Sequence, residues 1–315
     1  MSLLFLGLLS GCGATPTVSP IDQEGGASQR LATLVELDRR VTEAGFRLSL
    51  ANVDLCPTVA PRAGWLLHAA NQYTDDLRAE AEQQFDLEGA LPGISVVVPG
   101  SPAEAAGLRV GDLITAVDGE LLDAARSQTR PGYEDLERNL ARLDAAAMDD
   151  GQMDLSVRGG GVDRAVQVIP ISACAYDTQV DPSPDIRARA DGRRIFISSA
   201  FAAYAATEAE LAFVLAHELA HNILDHPRQM GGLGLAPWRI EALENTADRV
   251  GLFLMARAGY EVHEVPSFLR RLGQDHWQLR YPQWGHASAG ARARSLETVV
   301  TEIDSRRSQG LALTP

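Results

Sequence analysis

The stretch that most constrains this chain runs from Thr207 to His226, TEAELAFVLAHELAHNILDH. Thr207 followed by Glu210 has the form of a capping box, no Gly or Pro interrupts the run, and Pro227 is placed to stop a helix just past His226. Inside it lies H-E-x-x-H. Residues four apart stand one above the other on a helix, so His217 and His221 offer two imidazoles to one point, as a tetrahedral Zn²⁺ site requires. Glu218 then reaches the open side of such a metal and can take a proton from its water. Two histidines at this spacing can also be plain surface residues. Phe213, Val214, Leu215 and Leu219, with an alanine stripe at Ala212, Ala216 and Ala220, describe instead a buried helix that a second helix can approach closely.

A third protein ligand is needed. A metzincin extension would put Gly at Leu224 and His at Pro227, which excludes that class. His226 falls one residue short of that spacing and reads as a helix-end histidine facing the C-terminal dipole. The segment Glu241 to Asp248 offers the ligand: Glu244 and Asp248 share one helix face, so Glu244 can bind the metal while Asp248 accepts the free N–H of a ligand histidine. Glu241 competes with Glu244 for this role, but only Glu244 has an acid four residues later.

His217-Glu218-Leu219-Ala220-His221 with Glu244-Asn245-Thr246-Ala247-Asp248 resembles the gluzincins of metallopeptidase family forty-eight, the HtpX and CaaX-prenyl-protease relatives. Trp284 to Arg292 is similar to that family's T-H-P-x-x-x-x-R segment, with Gly285 in place of Thr and Ala287 in place of Pro. The resemblance, over residues 175 to 305, implies a mainly helical zincin-type domain with one Zn²⁺ per chain and makes His286 the candidate oxyanion donor. It also implies that the hairpin from Ile186 to Ser199 is an edge element whose strand, with Ile195 and Ile197, pairs with substrate backbone. Arg187 stands where relatives usually have asparagine.

A second unit spans residues 87 to 171. Ser95 to Val98 reads as a strand, Ser101-Pro102-Ala103-Glu104 starts a short helix that Gly107 ends, and Asp112 to Val117 returns as a strand closed by Asp118-Gly119. Tyr133 to Ala147 reads as a helix, and Met153 to Val157 with Ala165 to Ile171 as a hairpin. Gly100-Ser101-Pro102-Ala103 through Gly111-Asp112 resembles a bacterial PDZ domain. Such folds add an extended peptide as a strand and capture its terminal carboxylate on backbone amides, which here points to Gly93 and Ile94. Leu91-Pro92-Gly93 matches the glycine-rich loop only loosely, so tail capture and a purely structural insert both stay open.

Residues 1 to 12 contain a short apolar run ending in Leu9-Ser10-Gly11-Cys12, which resembles the lipobox of bacterial lipoproteins. No Lys or Arg precedes the run, and a plain cleaved signal peptide is the alternative. Cys12 is then the acylated residue, residues 13 to 28 a flexible tether, and the periplasmic face of the outer membrane the expected address, since Gly13 is not the aspartate of inner-membrane retention. In that oxidising compartment Cys56 and Cys174 are expected to form a disulfide, the alternative being two small buried side chains. With 28 basic and 42 acidic residues the net charge is −14, which argues against nucleic acid and against charge-driven adhesion to lipid. No run approaches the roughly twenty apolar residues of a spanning helix, so membrane attachment rests on the lipid anchor alone.

The remaining chain reads as scaffold: residues 29 to 86, with a helix from Gln29 to Ala44, a strand-like run from Phe46 to Val53, and a mixed stretch from Trp65 to Phe85 containing His68. The whole reads as α+β, a helical peptidase domain over 175–315 beside a β-rich PDZ-like domain. These features together point to a zinc endopeptidase acting on exported polypeptides in envelope quality control. The alternative is a PDZ-bearing binding or chaperone-like lipoprotein with a latent centre.

Overall fold

The computed structural model describes residues 26–124, 132–230, 236–282 and 285–315. The leader, Cys12 and the tether as far as Gly25 lie outside the described residues. Ala27 and Ser28, assigned to that tether, already belong to the first helix.

That helix, α1 (Ala27–Ala51), overturns the strand expected from Phe46 to Val53. Leu37, Val41, Ala44 and Leu48 continue one helical stripe across the expected break and bury it in the larger core. The end comes only where the Asn52 side-chain amide donates to the carbonyls of Leu48 and Leu254. Leu31, one end of the same helix, is fully buried in a second core. One helix therefore belongs to both.

The second core fills a β-rich unit. Its strands are β1 (Val59–Arg62), β2 (Trp65–His68), β3 (Gly93–Val97), β4 (Leu113–Val117), β5 (Glu120–Leu121), β6 (Met153–Gly159), β7 (Val162–Val168) and β8 (Ile171–Cys174), with α2 (Asp75–Phe85), α3 (Pro102–Ala105) and α4 (Glu134–Asp149) between them. The sheet order is β2-β3-β4-β6-β7, with β5 paired to β4, so β2 extends the sheet from a segment read as scaffold. Ser101 caps α3 by accepting from the Glu104 amide, and the Asp112 carboxylate accepts from the Arg109 amide and pairs with Arg164, closing the turn before β4. Strands β1 and β8 pair antiparallel at the neck of the unit. There Cys56 and Cys174, 118 residues apart in sequence, are joined by a disulfide with a Cα–Cα distance of 5.5 Å.

Beyond the neck, β9 (Asp177–Asp181), β10 (Ala188–Ala190) and β11 (Arg194–Ser198) form a sheet of order β10-β11-β9. Then come α5 (Ser199–Tyr204), α6 (Glu208–Ile223), α7 (His226–Met230), α8 (Pro237–Arg257), α9 (Val265–Asp275), α10 (Trp277–Arg280) and α11 (Ala289–Ser308). The fold is mixed α+β, a PDZ-like β unit beside a helical body. None of the described helices is long and apolar enough to cross a membrane.

Candidate metal centre

Helix α6 starts as its first residues dictate: Thr207 Oγ1 accepts from the Glu210 amide at 3.2 Å, and Glu210 reaches back to accept from the Ala206 amide at 2.8 Å. Every residue from Ala209 to Asn222 is buried. His217 and His221, one turn apart, turn their Nε2 atoms toward each other at 3.1 Å. Helix α8 lies against this face, and Gly251 allows the approach, since a Cβ there would stand 2.9 Å from the His217 backbone nitrogen. Two turns before Gly251, Glu244 enters the same space, with Oε2 3.3 Å from His217 Nε2 and Oε1 3.6 Å from His221 Nε2. One donor atom from each of the three lies within 4.8 Å of the others. Glu241, the competing ligand, is exposed and outside this cluster.

The donor set fits zinc on this geometry. Bonds of about 2.0–2.1 Å in a tetrahedron put neighbouring donors about 3.3 Å apart, close to the 3.1, 3.3 and 3.6 Å found. Two imidazole nitrogens facing each other at that separation have an obvious use as lone-pair donors to one cation.

Around the donors sit groups that hold them. Asp248 Oδ1 is 3.0 Å from His217 Nδ1, and Arg292, from α11, grips Asp248 with two hydrogen bonds of 2.8 and 2.6 Å. Burial alone would raise the Asp248 carboxyl, but the Arg292 guanidinium and His217 hold it well below the usual range. Glu244 is likewise held low against its burial, by His217 and His221 with His286. In the metal-free protein the His217 imidazole is pushed up to about 10, since Asp248 and Glu244 outweigh its desolvation. Glu218 goes the other way: burial raises its carboxyl despite the neighbouring histidines, the direction that makes a carboxylate a better base.

His286 is half-exposed, with Nδ1 3.5 Å from Glu244 Oε2. Its neighbour Gly285 adopts φ +75°, and a Cβ there would stand 2.6 Å from Ile240, so the glycine that departs from the family's threonine suits this backbone path. Trp284, at the start of that segment, lies outside the described residues.

His226 corrects the sequence reading. Helix α6 ends at Ile223, Asp225 takes a left-handed φ of 56°, and His226 opens α7 with Pro227 behind it. Pro227 thus sits at the start of a new helix, where its missing N–H costs nothing. The His226 ring is buried, with Nδ1 3.0 Å from His221 Nδ1, and it belongs to the start of α7 rather than to the end of α6. Burial, then His221, push its pKa down to about 4.

Two further expectations change. Ile195 and Ile197 are core residues, and their strand β11 is paired to β10 on one side and β9 on the other, so it has no edge to offer. The edge on that side of the sheet belongs to β10. Gly93 and Ile94 are also interior: β3 pairs with His68 and Leu67 of β2 on one side and with β4 on the other. The terminal strand on the β3 side of that sheet is β2, entered through Gly64 at φ +79°. The signal for it was Ala63-Gly64-Trp65-Leu66, a glycine among apolar residues just ahead of a short strand. His68 is a packed residue, with Nδ1 2.7 Å from the Tyr73 hydroxyl and its ring edge-on to Phe85.

Asn222, which sequence reasoning passed over, joins the site to the sheet. Its Oδ1 accepts from the Gly192 amide at 2.8 Å and its Nδ2 donates to the Arg194 carbonyl at 3.2 Å, tying the β10–β11 turn to the residue beside His221.

Comparison with known proteins finds two family models, the first beginning within β7 of the β-rich unit. The model of Peptidase family M48 matches residues 162–237, and that of the PDZ domain matches residues 93–128. Among solved structures, the HtrA3 PDZ domain bound to a phage-derived ligand (FGRWV) is 20% identical, aligned over 36% of this chain and 88% of that one, with a TM-score of 0.26. No curated protein matches.

Proposed function

We propose that this chain, which joins a segment of a metallopeptidase family to a PDZ domain, is a zinc-dependent endopeptidase. One observation carries the reading: two helices bring His217, His221 and Glu244 together at the spacing of a tetrahedral metal.

Zinc held by these three residues supplies Lewis acidity, making water acidic and a peptide carbonyl electrophilic. The chain does the rest. Glu218 takes the proton of the attacking water and returns it to the departing amine, a task suited to a buried carboxylate with a raised pKa. Asp248, clamped by Arg292, keeps the His217 proton on Nδ1 and so leaves Nε2 free to bind. His286, at the exposed side of Glu244, donates to the developing oxyanion, a contribution of about 3–4 kcal/mol when such a donor is preorganised. Substrate backbone would add to the outer edge of β10, and peptide tails to that of β2.

The address is part of the proposal. The resemblance of residues 1 to 12 to a lipobox supports a mature chain anchored by lipid at Cys12 on the periplasmic side of the outer membrane, with exported polypeptides under quality control as its substrates. The test is cleavage of a denatured protein by the mature chain and by Glu218→Gln, with zinc content measured in both. Cleavage by the parent alone, at equal zinc, is the expected result. Equal cleavage by both would sink the enzymatic assignment, and bound zinc with no cleavage by either would favour the binding-protein alternative.

A further inference from the structure

His221 turns its Nε2 into the donor cluster, 3.1 Å from His217 Nε2 and 3.6 Å from Glu244 Oε1, so its Nδ1 points away. An imidazole that binds a cation through Nε2 keeps its proton on Nδ1, and in a buried site that proton needs an acceptor. For His217 the facing group is the Asp248 carboxylate, with Oδ1 3.0 Å from Nδ1. For His221 the facing atom is Nδ1 of His226, at 3.0 Å. The two rings stand edge to face, with centroids 4.9 Å apart and planes at 76°, and both are nearly closed to solvent.

The chain path produces this contact. After Ile223 the left-handed Asp225 breaks the helix, and His226, the first residue of α7, stands against His221 in the last turn of α6. A helix continued to residue 226 would have placed that side chain five positions on, about 140° around the axis from His221. The break brings the two rings together.

Resting on the zinc reading of the site, we propose that His226 is a positioning residue for His221: its Nδ1 lone pair accepts the His221 Nδ1–H and fixes the tautomer and ring angle that present Nε2 to the metal. The two histidine ligands are then held unequally. His217 leans on an ionised carboxylate and His221 on a neutral ring, which makes His221 the less basic donor.

The test uses the mature chain and two substitutions. His226→Asn offers an amide oxygen near the position of the lost Nδ1, whereas His226→Leu fills the space without an acceptor. Zinc affinity, read by competition with a chelating dye, is expected to fall 10- to 100-fold in the leucine variant and to stay within a few-fold of the parent in the asparagine variant. The visible spectrum of the Co²⁺-loaded protein should shift in the first and not in the second. A measurement on the unaltered protein stands apart from any folding defect. In the zinc form, nitrogen-edited NMR should show slowly exchanging Nδ1–H protons assigned to the rings of both His217 and His221. Affinity unchanged in both variants, or no protected Nδ1–H assigned to His221, overturns the proposal and leaves the zinc reading intact. A parent chain that binds no zinc overturns both.

Discussion

Gly251→Ala is the substitution whose sign discriminates best. On propensity alone, alanine for glycine inside a long helix should stabilise by about 1 kcal/mol. The structure predicts the reverse. The new Cβ would meet the His217 nitrogen at 2.9 Å, the His217 Cα at 3.0 Å and the Ala216 carbonyl carbon at 3.1 Å, whereas carbon contacts are comfortable at about 3.5–4.0 Å. All three atoms are helix backbone and cannot rotate aside, so α8 must retreat from α6 by roughly 0.5–1 Å to restore that spacing. Overpacking of this kind costs about 1–3 kcal/mol, which outweighs the propensity gain. Glu244 and Asp248, seven and three residues earlier on the same face, are carried outward together. A ligand set tolerates departures of about 0.2 Å, so zinc affinity should fall at least tenfold. Urea midpoints of the metal-free protein and chelator competition for zinc measure the two effects separately. A variant more stable than its parent with unchanged zinc affinity would refute the claim that close approach at Gly251 sets the site.

Two other outcomes are expected from the fold. Replacing Cys56 and Cys174 by serine frees a loop whose ends are 118 residues apart, so stability should drop by about 2–5 kcal/mol; reduced parent protein should match the double variant in a urea titration, and a midpoint unaffected by either treatment would contradict this. Burial holds the His68 imidazole neutral, with its pKa pushed down to about 3 from 6.5. The unfolded chain therefore takes the proton first, and stability should decline as pH falls from about 6.5 toward 3. His68→Phe should flatten that decline in urea titrations at several pH values, whereas an unchanged slope would remove His68 as its source.

Much of the donor cluster was legible because its logic is local. A helix period places His217 above His221, and the same period on a second helix pairs Glu244 with Asp248. The alanine stripe of α6 announced a close neighbour, although Gly251, the residue that meets it, gave no signal of its own. What could not be read depended on distant partners. Phe46 to Val53 looks like a strand because α1 is apolar on more than one face, and it is so because it serves two cores. Ile195 and Ile197 looked like edge residues because the hairpin with β10 is local, whereas β9, the parallel partner that covers the other side, is separated from β11 by β10 in the chain. His226 was misread because Pro227 can end one helix or begin the next, and only the turn at Asp225 decides.

The neck made by β1, β8 and their cross-link gives the β-rich unit the character of a cassette. Its two ends leave the helical body side by side, so the excursion could be cut back to a tight turn, or exchanged for another module with neighbouring termini, without rethreading the helices that supply the metal ligands. The graft would need attention at one spot. Leu31 and Val35, where α1 leans on the present module, would have to be repainted with polar side chains.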